Sequence, residues 1–349
     1  MGEYALLLLP SANRVYADAA VDLTLAELEV FNRAALGGRL GAIAPARIGG
    51  VSYVTFTADV LTSRDVAYLS NASAAYALFE VRADLLRPVV LTRLDQFDDD
   101  LITIQKYPGK TNEQFTKLLL NVTVLASVAA PDMLDRRLRV LDPLCGRGTT
   151  LNQALTYGYD AAGLDLDAKD FTAYTGFVQT YLKRKKIKHQ ADLGPVRRER
   201  KVVARRLTVT LAPTKEAYRA GDTLSLDVVN ADTTLALEFF RPESFDVVVA
   251  DAPYGVQHGS RTGAKGLRRG PLDLLTEAIP VWARLLRPGG AMGVSWNTFV
   301  ARREDTAAIL ASAGLEVLDD GPYGGFRHRV DQAITRDILV ARRPPLSSI

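Results

Sequence analysis

Two patterns of hydrophobic and polar residues divide the chain. In the first part, short apolar runs such as "YALLLLP" alternate with segments of helical spacing such as "TLAELEVFNRAAL", and Gly49-Gly50 interrupts an extended stretch. This order of strand, helix, hairpin, helix and strand predicts a small α+β domain of the ferredoxin-like kind over residues 1–90. A linker and then a helix, "NEQFTKLLLNVTVLASVA", are predicted over residues 91–127.

A second rhythm, of strands separated mostly by helices, occupies residues 128–349. The strands are read from the runs "RVLDP", "DAAGLDLD", "TLSLDVVNAD", "SFDVVVADAP" and "AMGVSWN". Strands that alternate with helices predict an α/β domain whose sheet is mostly parallel and covered on both faces. The last two strands, "LEVLDD" and "QAITRDILVARR", are predicted to pair as an antiparallel hairpin at one end of that sheet.

Ligands of such a sheet bind beyond the carboxyl ends of its strands, and the first of these ends reads "LDPLCGRGTTL". Gly146 and Gly148 permit a tight turn, and the helix that begins at Thr149 offers unpaired N–H groups to an anion. The loop lacks the third glycine of a dinucleotide fingerprint, because that position is Leu151. An ordinary strand-to-helix turn is the alternative interpretation.

Carboxylates follow the next two strands. Asp165 ends the strand in "GLDLD", where a carboxylate can accept both hydroxyls of a ribose, and Asp167 is interpreted as the cap of the following helix. Asp232, in "VVNADTT", is placed to accept a hydrogen bond from an adenine amino group. It is equally well placed to cap a helix, and the sequence leaves both interpretations open.

The fourth strand end is "SFDVVVADAPYGVQHG". Asp251 and the carbonyl of Ala252, which Pro253 holds in extended backbone, can each accept one hydrogen of an exocyclic amine. These two contacts would direct the nitrogen lone pair towards an electrophile, and Tyr254 can stack on the heterocycle. Proline and glycine also mark ordinary turns.

The composition of the chain predicts its cellular compartment and the chemical class of its binding partner. The single cysteine, Cys145, excludes an internal disulfide and favours a reducing compartment, and no run has the length of a membrane span or the form of a signal peptide, so a cytoplasmic protein is predicted. Residues 183–206 hold 11 Lys/Arg against 2 Asp/Glu, whereas the rest of the chain is net acidic. A basic insertion in an acidic protein favours a polyanion such as nucleic acid, although a solvated loop is the alternative.

Taken together, "LDPLCGRGTTL" and "DAPYG" resemble the class I S-adenosylmethionine-dependent amino-methyltransferases. The resemblance is greatest to the THUMP-associated RNA guanine methyltransferases, from about Lys106 to the C-terminus, and "YPGKTNEQFTKLLLNVTVLAS" is similar to the helix that precedes their catalytic domain. Their signatures are Asp-Pro-x-Cys-Gly-x-Gly-Thr and Asp-Pro-Pro-Tyr-Gly. The matching residues are Asp142, Pro143, Cys145, Gly146, Gly148 and Thr149 in the first, and Asp251, Pro253, Tyr254 and Gly255 in the second, with Ala252 replacing one proline.

The resemblance implies a Rossmann-like class I methyltransferase sheet, S-adenosylmethionine as cofactor, and methyl transfer to guanine N2 of tRNA without a metal. The glycine loop would hold the methionine carboxylate, Asp165 the ribose and Asp232 the adenine, while Cys145 is interpreted as a packing residue. Two basic groups are predicted to bind RNA: Lys183, Arg184, Lys185 and Lys186 in the insertion, and Arg261, Lys265, Arg268 and Arg269 in the loop after Gly255.

Other functions remain open at this level. An rRNA or DNA amino-methyltransferase would carry the same four residues, Asp251 to Tyr254, at the end of this strand. Arg147 and Ala252 depart from the usual pattern, which allows a nucleic-acid-binding protein with a decayed catalytic site. A nicotinamide dehydrogenase is disfavoured by Leu151.

Overall fold

The computed structural model describes residues 1–11, 14–253 and 270–346 of the 349-residue chain. Its strands are β1 (Gly2–Leu8), β2 (Gly41–Ile48), β3 (Val51–Ala58), β4 (Ala75–Arg82), β5 (Leu85–Val89), β6 (Arg139–Asp142), β7 (Asp160–Asp165), β8 (Lys188–Arg198), β9 (Lys201–Ala212), β10 (Leu224–Asn230), β11 (Phe245–Asp251), β12 (Leu286–Asn297), β13 (Glu316–Leu318), β14 (His328–Arg329) and β15 (Thr335–Arg342). The helices are α1 (Arg14–Ala34), α2 (Ser63–Ser70), α3 (Asp100–Thr103), α4 (Glu113–Ala126), α5 (Thr149–Thr156), α6 (Ala168–Arg184), α7 (Lys215–Arg219), α8 (Ala236–Phe239), α9 (Pro271–Leu285) and α10 (Arg303–Ser312).

The N-terminal sheet confirms the ferredoxin-like prediction. Its strands follow the order β2-β3-β1-β4-β5 and all their pairings are antiparallel, with α1 and α2 as the two connections. β5 adds an edge strand to the four-strand arrangement. Helix α1 begins ten residues before the predicted segment, at Arg14.

The second sheet has the order β13-β15-β12-β11-β6-β7-β10-β9-β8. Its five central strands, from β12 to β10, are mutually parallel, as the alternating pattern predicted. At one end β15 pairs antiparallel with both β12 and β13, which confirms the predicted C-terminal hairpin. At the other end, β8 and β9 extend the sheet as a second antiparallel hairpin, which the sequence did not predict as such.

Helix α4 lies against the second sheet and belongs to the core of the molecule. It is buried along almost its whole length, and Thr123 approaches β12 so closely that a Cβ on Gly293 would lie 1.9 Å from its hydroxyl oxygen. One hydrophobic core includes Phe31 of the N-terminal part, Phe115 of α4 and Val247 of β11. The division into residues 1–90, 91–127 and 128–349 stays a prediction.

A buried polar network joins α4 to the N-terminal part. The Glu27 carboxylate accepts hydrogen bonds from Ser73 N and from Asn121 Nδ2 at 2.7 Å, and Tyr157 donates to Asn121 Oδ1 at 2.9 Å. Burial raises the pKa of Glu27 above its ordinary value. Because a buried carboxylate without partners is costly, these hydrogen bonds define one way for α1 and α4 to pack.

Candidate active site

The register of the parallel strands brings three of the predicted carboxylates to one edge of the sheet. Asp142 ends β6 and pairs with Gly163 of β7, and its neighbour Leu141 pairs with Val248 of β11. Asp165 and Asp251 therefore both lie two residues beyond the level of Asp142, on the strands that flank β6. Since neighbouring strands are about 4.8 Å apart, the three acids share a narrow strip of the carboxyl edge.

The glycine loop follows β6, and each glycine has a distinct structural reason. Gly148 has φ +77° and precedes α5, and a Cβ there would lie 2.2 Å from the ring of Tyr174. Gly146 has φ +49°, its N–H donates to Asp165 Oδ2 at 2.7 Å, and a Cβ there would meet no atom of the described residues within 4 Å. The loop thus packs against the protein at Gly148 and faces open space at Gly146.

The other residues of the first signature support that loop. Pro143 and Cys145 are buried, and a Cβ on Gly163 would lie 2.8 Å from the Cys145 sulfur. Burial raises the pKa of the Cys145 thiol well above its ordinary value, which disfavours a nucleophilic thiolate and supports the packing interpretation. Thr149, partly exposed, is the first residue of α5.

The acidic edge has an unusual charge state. Burial, with smaller contributions from the charges of Asp251 and Asp165, raises the pKa of Asp142 to about 7. Burial also raises the pKa of Asp165 to about 6, even though its carboxylate accepts N–H groups from Gly146 and Asp167. A cation bound at this edge would stabilise the ionised carboxylates, whereas an anion would be repelled.

Asp251 is held by a residue that sequence reasoning missed. The hydroxyl of Thr111, in the segment before α4, donates to Asp251 Oδ2 at 2.6 Å. The neighbouring Ala252 is buried, and its N–H donates to the Ser295 carbonyl of β12 at 2.8 Å. Pro253 is exposed, and Tyr254 lies outside the described residues. The end of β11 is therefore fixed from β12 on one side and from residue 111 on the other.

The same segment reaches the glycine loop. Gln105 donates to the carbonyl of Arg147 at 3.2 Å, and the Arg147 guanidinium lies over the ring of Tyr107 at 4.6 Å. Arg147 also forms an ion pair with Asp170 at 2.8 Å. Its side chain is thus held by α6 and residue 107. No motif of the sequence signalled the pairing of Thr111 with Asp251, because 140 positions separate them.

Two further carboxylates act as helix caps. Asp167 accepts from Lys169 N at 2.7 Å at the start of α6, as predicted. Asp232 accepts from Thr234 N at 2.9 Å and from its hydroxyl at 2.7 Å, so the capping interpretation holds for this residue. A carboxylate has about four lone-pair sites, and the adenine contact of Asp232 stays a prediction.

The predicted RNA-binding residues lie in different places. Lys183–Lys186 are exposed at the end of α6, which runs about 26 Å back from the carboxyl edge. Lys185 forms ion pairs with Asp98 and Asp100 at 2.8 and 2.6 Å, and thereby ties the linker to α6. The second group, Arg261, Lys265, Arg268 and Arg269, lies outside the described residues. RNA binding by both groups stays a prediction.

Other features of the described residues bear on ligands. His328 is buried, its Nδ1 lies 2.9 Å from the Phe326 carbonyl, and burial lowers its pKa to about 4, so it is uncharged at neutral pH and unsuited to a phosphate. Within residues 1–11, 14–253 and 270–346, no cluster of His, Cys, Asp and Glu could hold a metal ion. In the same ranges no helix has the length and apolar character needed to cross a membrane.

Comparison with known proteins gives one family and a set of solved structures. Residues 130–289 match the family model described as "UPF0020: RMKL-like, methyltransferase domain". Among solved structures, TrmN from Thermus thermophilus is 14% identical over 98% of this chain and 100% of its own, with a TM-score of 0.39. No curated protein sequence is significantly similar to the chain.

Two more solved structures are similar at the same low level. A TehB-like SAM-dependent methyltransferase from Corynebacterium glutamicum is 14% identical over 61% of this chain and 84% of its own, with a TM-score of 0.33. A 1,6-didemethyltoxoflavin-N1-methyltransferase from Burkholderia thailandensis, with bound S-adenosylhomocysteine, is 16% identical over 63% and 76%, with a TM-score of 0.35. Residues 130–289 thus match a methyltransferase-domain model, and this match supports S-adenosylmethionine as the cofactor.

Proposed function

We propose that this protein transfers a methyl group from S-adenosylmethionine to an exocyclic base amine of RNA, with guanine N2 of tRNA as the substrate. The observation that carries the proposal is the fixed position of Asp251 at the edge that also bears Asp165 and the glycine loop. An amine acceptor at the tip of β11 and a cofactor at the tips of β6 and β7 would thus be neighbours.

The residues of this edge fit S-adenosylmethionine. The cofactor carries a sulfonium, an ammonium and a carboxylate, but no phosphate. Its net positive charge suits an edge that carries Asp142 and Asp165, and the Asp165 carboxylate would accept the ribose hydroxyls. Gly146 leaves room for close approach, and the start of α5 suits the single carboxylate. Leu151, at the position of the third glycine of a dinucleotide fingerprint, disfavours the dehydrogenase alternative.

The chemistry at Asp251 follows from its hydrogen bonds. S-adenosylmethionine supplies an electrophilic methyl group when it is bound. Asp251 and the Ala252 carbonyl each accept one hydrogen of the amine, which holds the nitrogen in place and orients its lone pair. Thr111 keeps the carboxylate in one rotamer, and Pro253 restricts the backbone of Ala252 to extended geometry. As the nitrogen–methyl bond forms, the methyl–sulfur bond would break and leave S-adenosylhomocysteine. The methylated nitrogen is acidic, so its proton would pass to the Asp251 carboxylate or to solvent, and no strongly perturbed base is needed.

The two departures from the usual signature are accommodated, which argues against a decayed site. The Arg147 side chain is engaged by Asp170 and Tyr107, and Ala252 is buried with its N–H bonded to Ser295. Both residues are thus held by specific contacts of the described structure. The family resemblance favours tRNA over rRNA and DNA as the substrate. The experiment below distinguishes the three.

The test combines substrate pools with an isosteric variant. The protein, incubated with labelled S-adenosylmethionine and separate pools of tRNA, rRNA and DNA, should label tRNA, and nucleoside mass spectrometry should find N2-methylguanosine. Asp251→Asn should lower the rate of transfer by about 10²–10³-fold while RNA binding is retained. Asp84→Asn, an exposed turn carboxylate, serves as the control. Label in DNA alone, or full activity of Asp251→Asn, would overturn the proposal.

A further inference from the structure

The basic insertion, residues 183–206, begins at the end of α6 and continues into the β8–β9 hairpin, whose turn lies at the carboxyl edge of the sheet. Helix α6 ends at the far edge of the sheet, and β8 then runs back parallel to β10 for 11 residues, about 36 Å. The turn between β8 and β9 therefore lies on the same side as the carboxyl ends of the central strands. The two ends of the tract are thus at opposite edges of the sheet.

Strand register shows how far the hairpin extends. Asp165 pairs with Asn230, Asn230 with Arg205, and Arg205 with Pro195, so these residues form one row across four strands. The turn at residues 199–200 comes beyond this row on both β8 and β9. Three residues past Pro195, Arg198 stands about 10 Å above the edge. The tip, defined as residues 196–203, therefore flanks the space in which a ligand of the edge would lie.

The basic side chains of this hairpin divide into two sets. Arg198 forms an ion pair with Glu238, Arg206 with Asp227, and Arg205 lies over the ring of Phe171 at 5.4 Å. These contacts fasten the hairpin to α6, α8 and β10. By contrast, Arg197, Arg200 and Lys201 are exposed, and no carboxylate of the described residues lies within ion-pair distance of any of them.

The backbone of the turn indicates that the positive charge of Arg200 does not serve the stability of the fold. Arg198 pairs with Lys201, and Glu199 and Arg200 between them have φ +45° and +66°. A two-residue hairpin turn of this kind strongly favours Asn-Gly, and a long side chain at positive φ costs about 1 kcal/mol or more. The chain keeps Arg200 at this position all the same.

We propose that Arg197, Arg200 and Lys201 bind the phosphate backbone of the RNA substrate, away from the target base. This rests on the proposed function, because it takes the substrate to be RNA. β9 is four strands from β11, so the tip lies roughly 20 Å from Asp251 along the sheet. That separation corresponds to about six stacked nucleotides of one strand. The hairpin thus positions the RNA while the edge selects the base.

The experiment removes equal charge from the hairpin tip and from the opposite edge of the sheet. The tip variant is R197S/R200S/K201S. The control is K188S/K215S/R219S, whose three exposed side chains lie at the far edge of the sheet and likewise have no ion-pair partner among the described residues. Binding of a fluorescent tRNA pool is measured by anisotropy over a range of salt. Thermal melts verify that both variants fold.

We expect the tip variant to lose about tenfold in affinity at 0.1 M salt and about two to three units of the log–log salt slope, and the control to change little. Arg200→Gly adds a second readout, because it should stabilise the turn and still weaken binding. An unchanged slope for the tip variant, or an equal loss in the control, would overturn the proposal. Methyl transfer by the unaltered protein is assayed in parallel: tip-dependent binding without transfer to any RNA would contradict the proposed function and support the hairpin.

Discussion

The carboxyl edge of the parallel strands and the β8–β9 hairpin differ in what holds their functional groups. At the edge, the acids are buried or half-buried, and the glycine loop is shaped by close packing against Tyr174 and Cys145. On the hairpin, Arg197, Arg200 and Lys201 are exposed and make no ion pair within the described residues. One region depends on atomic fit, and the other depends on where charge is placed.

This difference predicts which substitutions each region tolerates. Packing constraints make single atoms matter at the edge, because a close-packed interior cannot absorb an added methyl group without strain. Exposed charges are interchangeable to a first approximation, and their effect is weakened by salt. The predictions below test the edge, and the hairpin variants above test the other half of the comparison.

The largest effect is expected at Gly148. Gly148→Ala should destabilise the protein by about 3 kcal/mol, because it combines a positive φ with a Cβ 2.2 Å from the Tyr174 ring. Gly146→Ala is the matched control, since its Cβ would meet no atom, and it should cost about 1 kcal/mol from the backbone alone. Urea unfolding measures both.

Cofactor binding should be weakened more by Gly146→Ala than by Gly148→Ala, which is the reverse of their order in stability, provided that both variants fold. The new methyl group of Gly146→Ala would stand in the open space in front of the loop, so it should weaken S-adenosylmethionine binding in calorimetry. Equal stability of the two variants would show that the loop is not shaped by Tyr174.

A smaller loss is expected at Thr111. Thr111→Val keeps the shape of the side chain but removes the hydroxyl that donates to Asp251, and it should lower kcat by about tenfold or more with little change in KM for RNA. Thr111→Ser keeps the hydroxyl and should restore most of the rate. A rise in KM at constant kcat would instead make residue 111 a substrate contact and not a positioning residue.

The smallest effect is a pH dependence of cofactor binding. The raised pKa values of Asp142, about 7, and Asp165, about 6, mean that both acids hold protons in weakly acidic solution. A cationic cofactor favours the ionised acids, so affinity should rise several-fold from about pH 5.5 to about pH 8, one unit above the pKa of Asp142, and level off above. Calorimetry in two buffers should detect proton release, and Asp165→Asn should flatten the profile. A pH-independent affinity would show that the acids do not face the cationic groups.

The stability of the free protein should follow the opposite trend. The folded protein holds more protons than the unfolded chain between the ordinary carboxyl pKa and about pH 7, so its stability should fall as pH rises through that window. Above about pH 8 these acids are ionised in both the folded and the unfolded state, and the dependence should vanish. The pH dependence of cofactor affinity and that of stability would together distinguish the effect of the charged acids from the effect of packing at this edge.

Elements with a regular apolar pattern were predictable. The strands of the parallel sheet are buried on both faces and read as apolar runs, and the order of the N-terminal elements gave the ferredoxin-like arrangement. β8 was not recognised, because this edge strand is mostly exposed on both faces and carries no alternation. The first ten residues of α1 were missed as well, although the helix itself was predicted.

The sequence by itself determined the local chemistry of this protein: glycines where a turn needs them, carboxylates at strand ends, and a strongly basic tract. These are properties of single positions and short spacings. Only the tertiary structure decided that Thr111 holds Asp251, that Lys185 ties the linker to α6, and that the turn at residues 199–200 returns to the carboxyl edge of the sheet. Such relations depend on strand order and register, which arise from the packing of the whole chain and leave no mark in a local pattern.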